Sequence, residues 1–212
     1  MKKFKRRDKK QSLGEELANA ISHGVAALLG IVGLILLLIK SDNVSEYVGS
    51  SIFGASIILL YTMSTLYHSF PRGNTKGVFK RFDHVSIYLL IGGTFAPIFL
   101  ITLESPLKWI MLASQWAIII VGIVLKAVKV YKFQKLHIVL FLLLGWSGLF
   151  FIPNLYNYGH SLWFILAGGI SYSIGVIFYA LRPFKYSHFI WHLFVIGGTA
   201  LQFFAIYLYL LT

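Results

Sequence analysis

Ser187-His188-Phe189-Ile190-Trp191-His192 carries two imidazoles four residues apart. On a helix that spacing puts both rings on one face, one turn apart. It suits two ligands of a single Zn2+, as in helical H-x-x-x-H pairs. Ser64-Thr65-Leu66-Tyr67-His68 repeats the spacing with a hydroxyl and a third imidazole. If His68 turns toward the pair, three imidazoles can hold one ion. Three protein ligands with an open fourth position is the catalytic arrangement of zinc, and water bound there gives hydroxide near neutral pH. Asp83 is the acid placed to bind or deprotonate that water. Ser64, one turn before His68, would support the site by a hydrogen bond or meet a substrate oxygen.

Those side chains need elements to carry them, and the composition says which kind. Hydrophobic residues make up 58% of the 212-residue chain and charged residues 12%, about half the charge of a soluble domain. Mean hydropathy is +0.77. A water-soluble enzyme and a disordered chain are both excluded. With no cysteine in the sequence, disulfide scaffolds, cysteine catalysis and thiolate-held zinc are excluded too. Any metal rests on the seven histidines and seven acids.

A membrane-crossing helix takes about 20 apolar residues. Seven stretches qualify, roughly 20–39, 48–69, 84–103, 107–126, 137–153, 161–181 and 188–211. No alternation with period 2 suggests a barrel. The fold class expected is therefore an all-α membrane protein with seven transmembrane helices. Residues 1–18 form a basic tail and 19–212 a seven-helix domain. Lys and Arg test the count, because they favour the cytoplasmic side of short loops. Alternate sides of the seven-span arrangement hold 17 and 2 of them. This predicts a cytoplasmic N-terminus and an outside C-terminus, in the plasma (inner) membrane of a bacterium. The net charge of +12 then reflects topology and gives no reason to expect nucleic acid. The tail, Lys2 to Lys10, is expected on anionic inner-leaflet headgroups or to act only as an orientation signal.

This topology puts six of the seven histidines near the inner leaflet, with His160 alone on the outer side. Glu16, Asn19, His23 and His84 share that depth and are candidates to support the metal ligands. Ionisable groups inside a membrane are costly and usually mark function. The same residues have a plainer reading, as polar groups that bond neighbouring helices. His84 and His137 adjoin basic loops and read first as interfacial. Gln115, in the fourth span, reads as a bond to a neighbouring helix.

Taken in order, Glu16-Leu17-Ala18-Asn19 with Ser22-His23-Gly24, Ser64 to His68, Phe82-Asp83-His84 with Gly93-Thr94 and Pro97, and His188 to His192 make the chain resemble the hemolysin III family. That family comprises bacterial relatives of the progestin and adiponectin receptors (PAQR). The resemblance covers nearly the whole chain. It implies a seven-helix protein with a zinc on the cytoplasmic side, held by His68, His188 and His192, with Asp83 as the water-binding acid and Ser64 as the serine of an S-x-x-x-H motif. It also implies membrane lipids as partners. Three functions follow from it as expectations. The first is hydrolysis of lipid amide or ester bonds, ceramidase-like, in membrane lipid homeostasis. The second is a non-enzymatic lipid sensor or receptor with structural zinc. The third is a pore-forming cytolytic protein.

Overall fold

The computed structural model describes residues 11–128 and 132–211. The basic run Lys2 to Lys10 lies outside the described residues. Among those described, seven helices are long and apolar enough to cross a membrane: α1 (Leu13–Lys40), α2 (Val44–Ser69), α3 (Asn74–Thr102), α4 (Leu107–Val128), α5 (Gln134–Tyr156), α6 (Ser161–Leu181) and α7 (Ser187–Leu210). The described secondary structure contains no strand. Short connections between long helices force successive helices to run antiparallel. The starts of α1, α3, α5 and α7 and the ends of α2, α4 and α6 therefore share one end of the bundle.

Two helix starts differ from the hydropathy reading in a way that matters for the site. The first helix begins at Leu13, seven residues before the expected apolar stretch. Ser12 caps it: the Glu15 amide donates to Ser12 Oγ, and the Ser12 amide donates to Glu15 Oε2 at 2.8 Å. This capping box satisfies two of the otherwise unpaired first-turn donors. Glu16, Asn19 and His23 thereby sit on successive turns of one helix, inside it. The third helix begins at Asn74, ten residues before the expected start, because Lys76, Lys80 and Arg81 depress hydropathy without breaking a helix. Asp83 and His84 are therefore more than two turns inside α3, where the sequence had suggested its first turn.

Helix α5 is the least regular span. An α-helix over Gln134–Trp146 tightens to a 3-10 segment at Ser147–Phe151 and resumes over Ile152–Tyr156.

The third helix is the centre of the bundle. Of its most apolar window, 72% is buried, against 11–22% for α1, α4, α5 and α6. It packs on α2 and α4, α1 packs on α2, α6 packs on α7, and α1 meets α7 to close the ring. Small residues set the closeness. A Cβ on Gly49 would lie 2.7 Å from the Pro97 Cα, so α2 and α3 touch backbone to backbone there. The core holds Phe53, Leu60, Tyr61, Phe95, Phe99 and Trp191. Tyr61 and Tyr172 both reach Thr199 Oγ1, at 2.8 and 2.9 Å, tying α2 and α6 to α7. The outer faces are apolar and exposed, with Leu28, Leu29, Val32 and Ile35 on α1 and Ile120, Val121 and Val124 on α4. In water these faces would be a liability. In a bilayer they are the solvated surface.

Candidate metal centre

His68 lies in the last turn of α2, while His188 and His192 lie in the first two turns of α7. All three are buried, and one ring nitrogen from each lies within 4.8 Å of the other two. The Nε2 atoms of His188 and His192 are 3.2 Å apart. Two ligands on a tetrahedral ion with metal–nitrogen bonds of 2.0–2.1 Å would be about 3.3 Å apart. The α7 pair is therefore already at ligand spacing.

The orientation of His68 is set from α1. Its Nδ1 lies 2.7 Å from Glu16 Oε2, and the other carboxylate oxygen of Glu16 is 3.0 Å from Lys76 Nζ. Against a carboxylate, Nδ1 is the nitrogen that carries the proton. Nε2 is then left as a lone-pair donor, and it has no hydrogen-bond partner. Asn19 Nδ2 approaches the same Nδ1 at 3.5 Å and also reaches Gln11 Oε1 at 3.2 Å. His23 does not join the ligands. Its ring stacks flat on His192, with centroids 3.5 Å apart and planes 5° off parallel. It props the ring from behind.

Asp83 is buried on α3 and lines the cavity beside the histidines. It interacts with His68 and Ser64 and lies close enough to Lys80 and Lys126 to feel their charge. Ser64 is fully buried, and its Oγ faces this group without completing a hydrogen bond. His84 departs from the interfacial position expected of it. It is buried and sits near Lys80, Lys126, Arg182 and His137. His137 is buried too, with Nδ1 2.7 Å from the Tyr88 hydroxyl. Both were expected at the interface because the loops beside them are basic. The extra turns of α3 and the Tyr88 partner draw them inward. Lys126 is also buried, which hydropathy does not indicate. It lies at the end of an apolar run, where a long cationic side chain is expected to reach water, yet it is 2% exposed.

The three-imidazole set fits a cation. Neutral ring nitrogens converge in a buried space: Nε2 of His188 and Nε2 of His192 face each other at 3.2 Å, and His68 Nε2 has no hydrogen-bond partner. Buried polar atoms left so are costly, and a metal ion would satisfy the converging lone pairs. One ligand already has a carboxylate behind it, the usual companion of a metal-bound histidine.

An apolar cavity opens from the histidines and runs between α3, α5, α6 and α7. It holds about 120 Å3, and its lining on α7 runs from His188 to Gln202, about 21 Å along the helix at 1.5 Å per residue. Ile87, Leu90, Ile91, Phe95, Ile98 and Leu142 supply much of its wall.

Fold and site together define a class: multi-pass membrane proteins of seven helices with a buried histidine centre at one end. The chain belongs to the haemolysin-III-related family, whose model matches residues 11–203. It is 43% identical to Hemolysin-3 of Bacillus cereus over 206 residues, covering 95% of this chain and 94% of that protein. It is 40% identical to the Hemolysin-3 homolog of Bacillus subtilis (strain 168), covering 93% and 95%. The human protein named monocyte to macrophage differentiation factor is 28% identical, covering 92% of this chain and 84% of its own length.

Proposed function

We propose that the centre holds Zn2+ and that the protein hydrolyses amide or ester bonds of membrane lipids, ceramidase-like. The observation that carries this reading is the placement of a three-histidine set, with an acid beside it, at one end of an apolar cavity. His68, His188 and His192 would hold the ion. When bound, it polarises a carbonyl and acidifies water. The protein's own groups do the rest. Asp83 takes a proton from the attacking water and passes it to the leaving group. Ser64 Oγ faces Asp83 without a completed bond, and in the reaction it would donate to the Asp83 carboxyl and keep it aimed. Glu16 holds the His68 ring, and His23 backs the His192 ring. Ile87, Leu90 and Ile91 exclude bulk water and receive the acyl chain.

The 17-to-2 split of basic residues supports placing this end of the bundle at the inner leaflet of the plasma membrane, with the N-terminus cytoplasmic and the C-terminus outside. The Bacillus relatives support a bacterial setting.

The test pairs metal analysis with turnover. Purified wild type is expected to carry about one zinc per chain. A His188→Ala, His192→Ala double variant is expected to lose both zinc and release of fatty acid from inner-leaflet ceramides and phospholipids. Full zinc occupancy in the double variant overturns the ligand set. Zinc without turnover of any lipid class shifts the reading to a sensor with a structural metal. The relatives' names favour a second reading, cell lysis. Leakage of dye from pure liposomes that persists after zinc is removed would establish it.

A further inference from the structure

Beside the apolar cavity lies a second, polar one of about 330 Å3, walled by the connections after α2 and α6 and the starts of α1, α3, α5 and α7. The two share His84, Tyr179 and His188, so they meet at the metal centre. The polar mouth carries Arg72, Lys76, Lys80 and Arg182 against one acid, Glu16.

These cations are not equivalent. Lys76 is engaged by Glu16 at 3.0 Å and by the carbonyls of Tyr67 and Phe70 at 2.9 and 3.1 Å. Lys80 adds its charge to the Asp83 side. Arg72 and Arg182 come from two different connections, and among the described residues neither makes an ion pair. An orientation signal requires positive charge at this end of the bundle. It does not require that two guanidiniums converge on a cavity with a metal-ligand histidine in its wall. Planar guanidinium groups are suited to bind oxyanions bidentately.

We propose that this mouth binds the phosphate or carboxylate head of an anionic lipid, with Arg72 and Arg182 as the binding residues and the acyl chain lying in the adjoining apolar cavity. The binding site stands on its own. It rests on the proposed hydrolase only for its consequence, that the bond between head and chain is presented at His188. The substrate class is then an acyl lipid with an anionic head, in place of a neutral ceramide.

The test uses the full chain in detergent, with native mass spectrometry as the binding readout. The probes are oleoyl lysophosphatidate, the neutral monooleoylglycerol with the same chain, and inorganic phosphate. Wild type is expected to bind the lysophosphatidate at least about tenfold more tightly than the neutral lipid. An Arg72→Gln, Arg182→Gln variant is expected to lose that preference, and Arg72→Lys with Arg182→Lys to keep most of it. Arg72 is exposed on a turn, so Arg72→Gln alone tests the point without risk to the fold and is expected to cost several-fold in preference.

Equal binding of the two lipids by wild type, or an intact preference in the double glutamine variant, overturns the proposal. Inorganic phosphate binding as tightly as the lysolipid makes a soluble anion the ligand and overturns the lipid assignment. His188→Ala with His192→Ala is expected to retain the preference. Its loss there would place the head on the metal centre and overturn the arginine site. Preference without hydrolysis of any lipid leaves this site standing and removes the hydrolase. Turnover of neutral ceramide without anionic preference does the reverse.

Discussion

Glu16 and His68 are 52 residues apart in sequence, yet Glu16 Oε2 lies 2.7 Å from His68 Nδ1. The contact joins the first turn of α1 to the last turn of α2, and Lys76 at the start of α3 holds the far side of the same carboxylate. One histidine of the candidate metal centre is thus aimed by groups from two other helices. Carboxylates behind metal-bound histidines fix the tautomer and typically contribute 10- to 100-fold in metal affinity.

Replacing Glu16 is expected to loosen the metal without unfolding the protein. Glu16→Gln keeps an acceptor but removes the charge, and should weaken zinc affinity about 10-fold. Glu16→Ala should weaken it toward 100-fold. Competition with a calibrated chelator measures both. Unchanged affinity in Glu16→Ala would make the contact a helix tie only.

Asp83→Asn separates chemistry from metal binding, because Asp83 is not among the three converging ligands. Zinc content is expected to stay near wild type while lipid turnover falls by at least about 100-fold. Loss of the metal in parallel with turnover would place Asp83 among the ligands.

The close contact of α2 and α3 predicts a stability cost. In Gly49→Ala the new methyl would meet the Pro97 backbone at 2.7 Å, and backbone cannot swing aside as a flexible side chain does. The expected loss is about 1–3 kcal/mol, read as a lowered melting temperature in detergent. Gly145→Ala, whose methyl would meet nothing within 4 Å, is the control. It should be neutral or gain up to about 1 kcal/mol from helix propensity.

Gln115 was expected to bond a neighbouring helix. It is buried on α4, and neither its Oε1 nor its Nε2 has a hydrogen-bond partner among the described residues. An unpaired buried amide costs about 1–3 kcal/mol, so Gln115→Leu is expected to raise thermal stability. A fall in stability would mean that the amide bonds a lipid or a second chain in the membrane.

Much of this protein is legible in its residues alone. The seven spans, the even spacing of basic loops and the shared helix face of His188 and His192 all follow from local rules. An apolar run of sufficient length crosses a bilayer, and residues four apart on a helix lie one turn apart, whatever the rest of the chain does. The same rules put the third imidazole and Asp83 at the same end of the bundle as the pair, once the helices are counted.

Depth, however, leaves the facing direction open. Only the packing of α1 against both α2 and α7 decides that Glu16 supports His68 and that His23 stacks on His192 without joining the ligands. Only the bundle buries His84, His137 and Lys126, because burial is a property of neighbouring helices and hydropathy is a property of one. The helix starts are not legible either: a capping box extends α1 by about two turns, and a stretch holding Lys76, Lys80 and Arg81 extends α3 by nearly three, because helix formation tolerates charge that a hydropathy window does not. The two cavities that meet at His188 exist only between helices. They are set by how the side chains of five or more segments fail to fill the space they enclose.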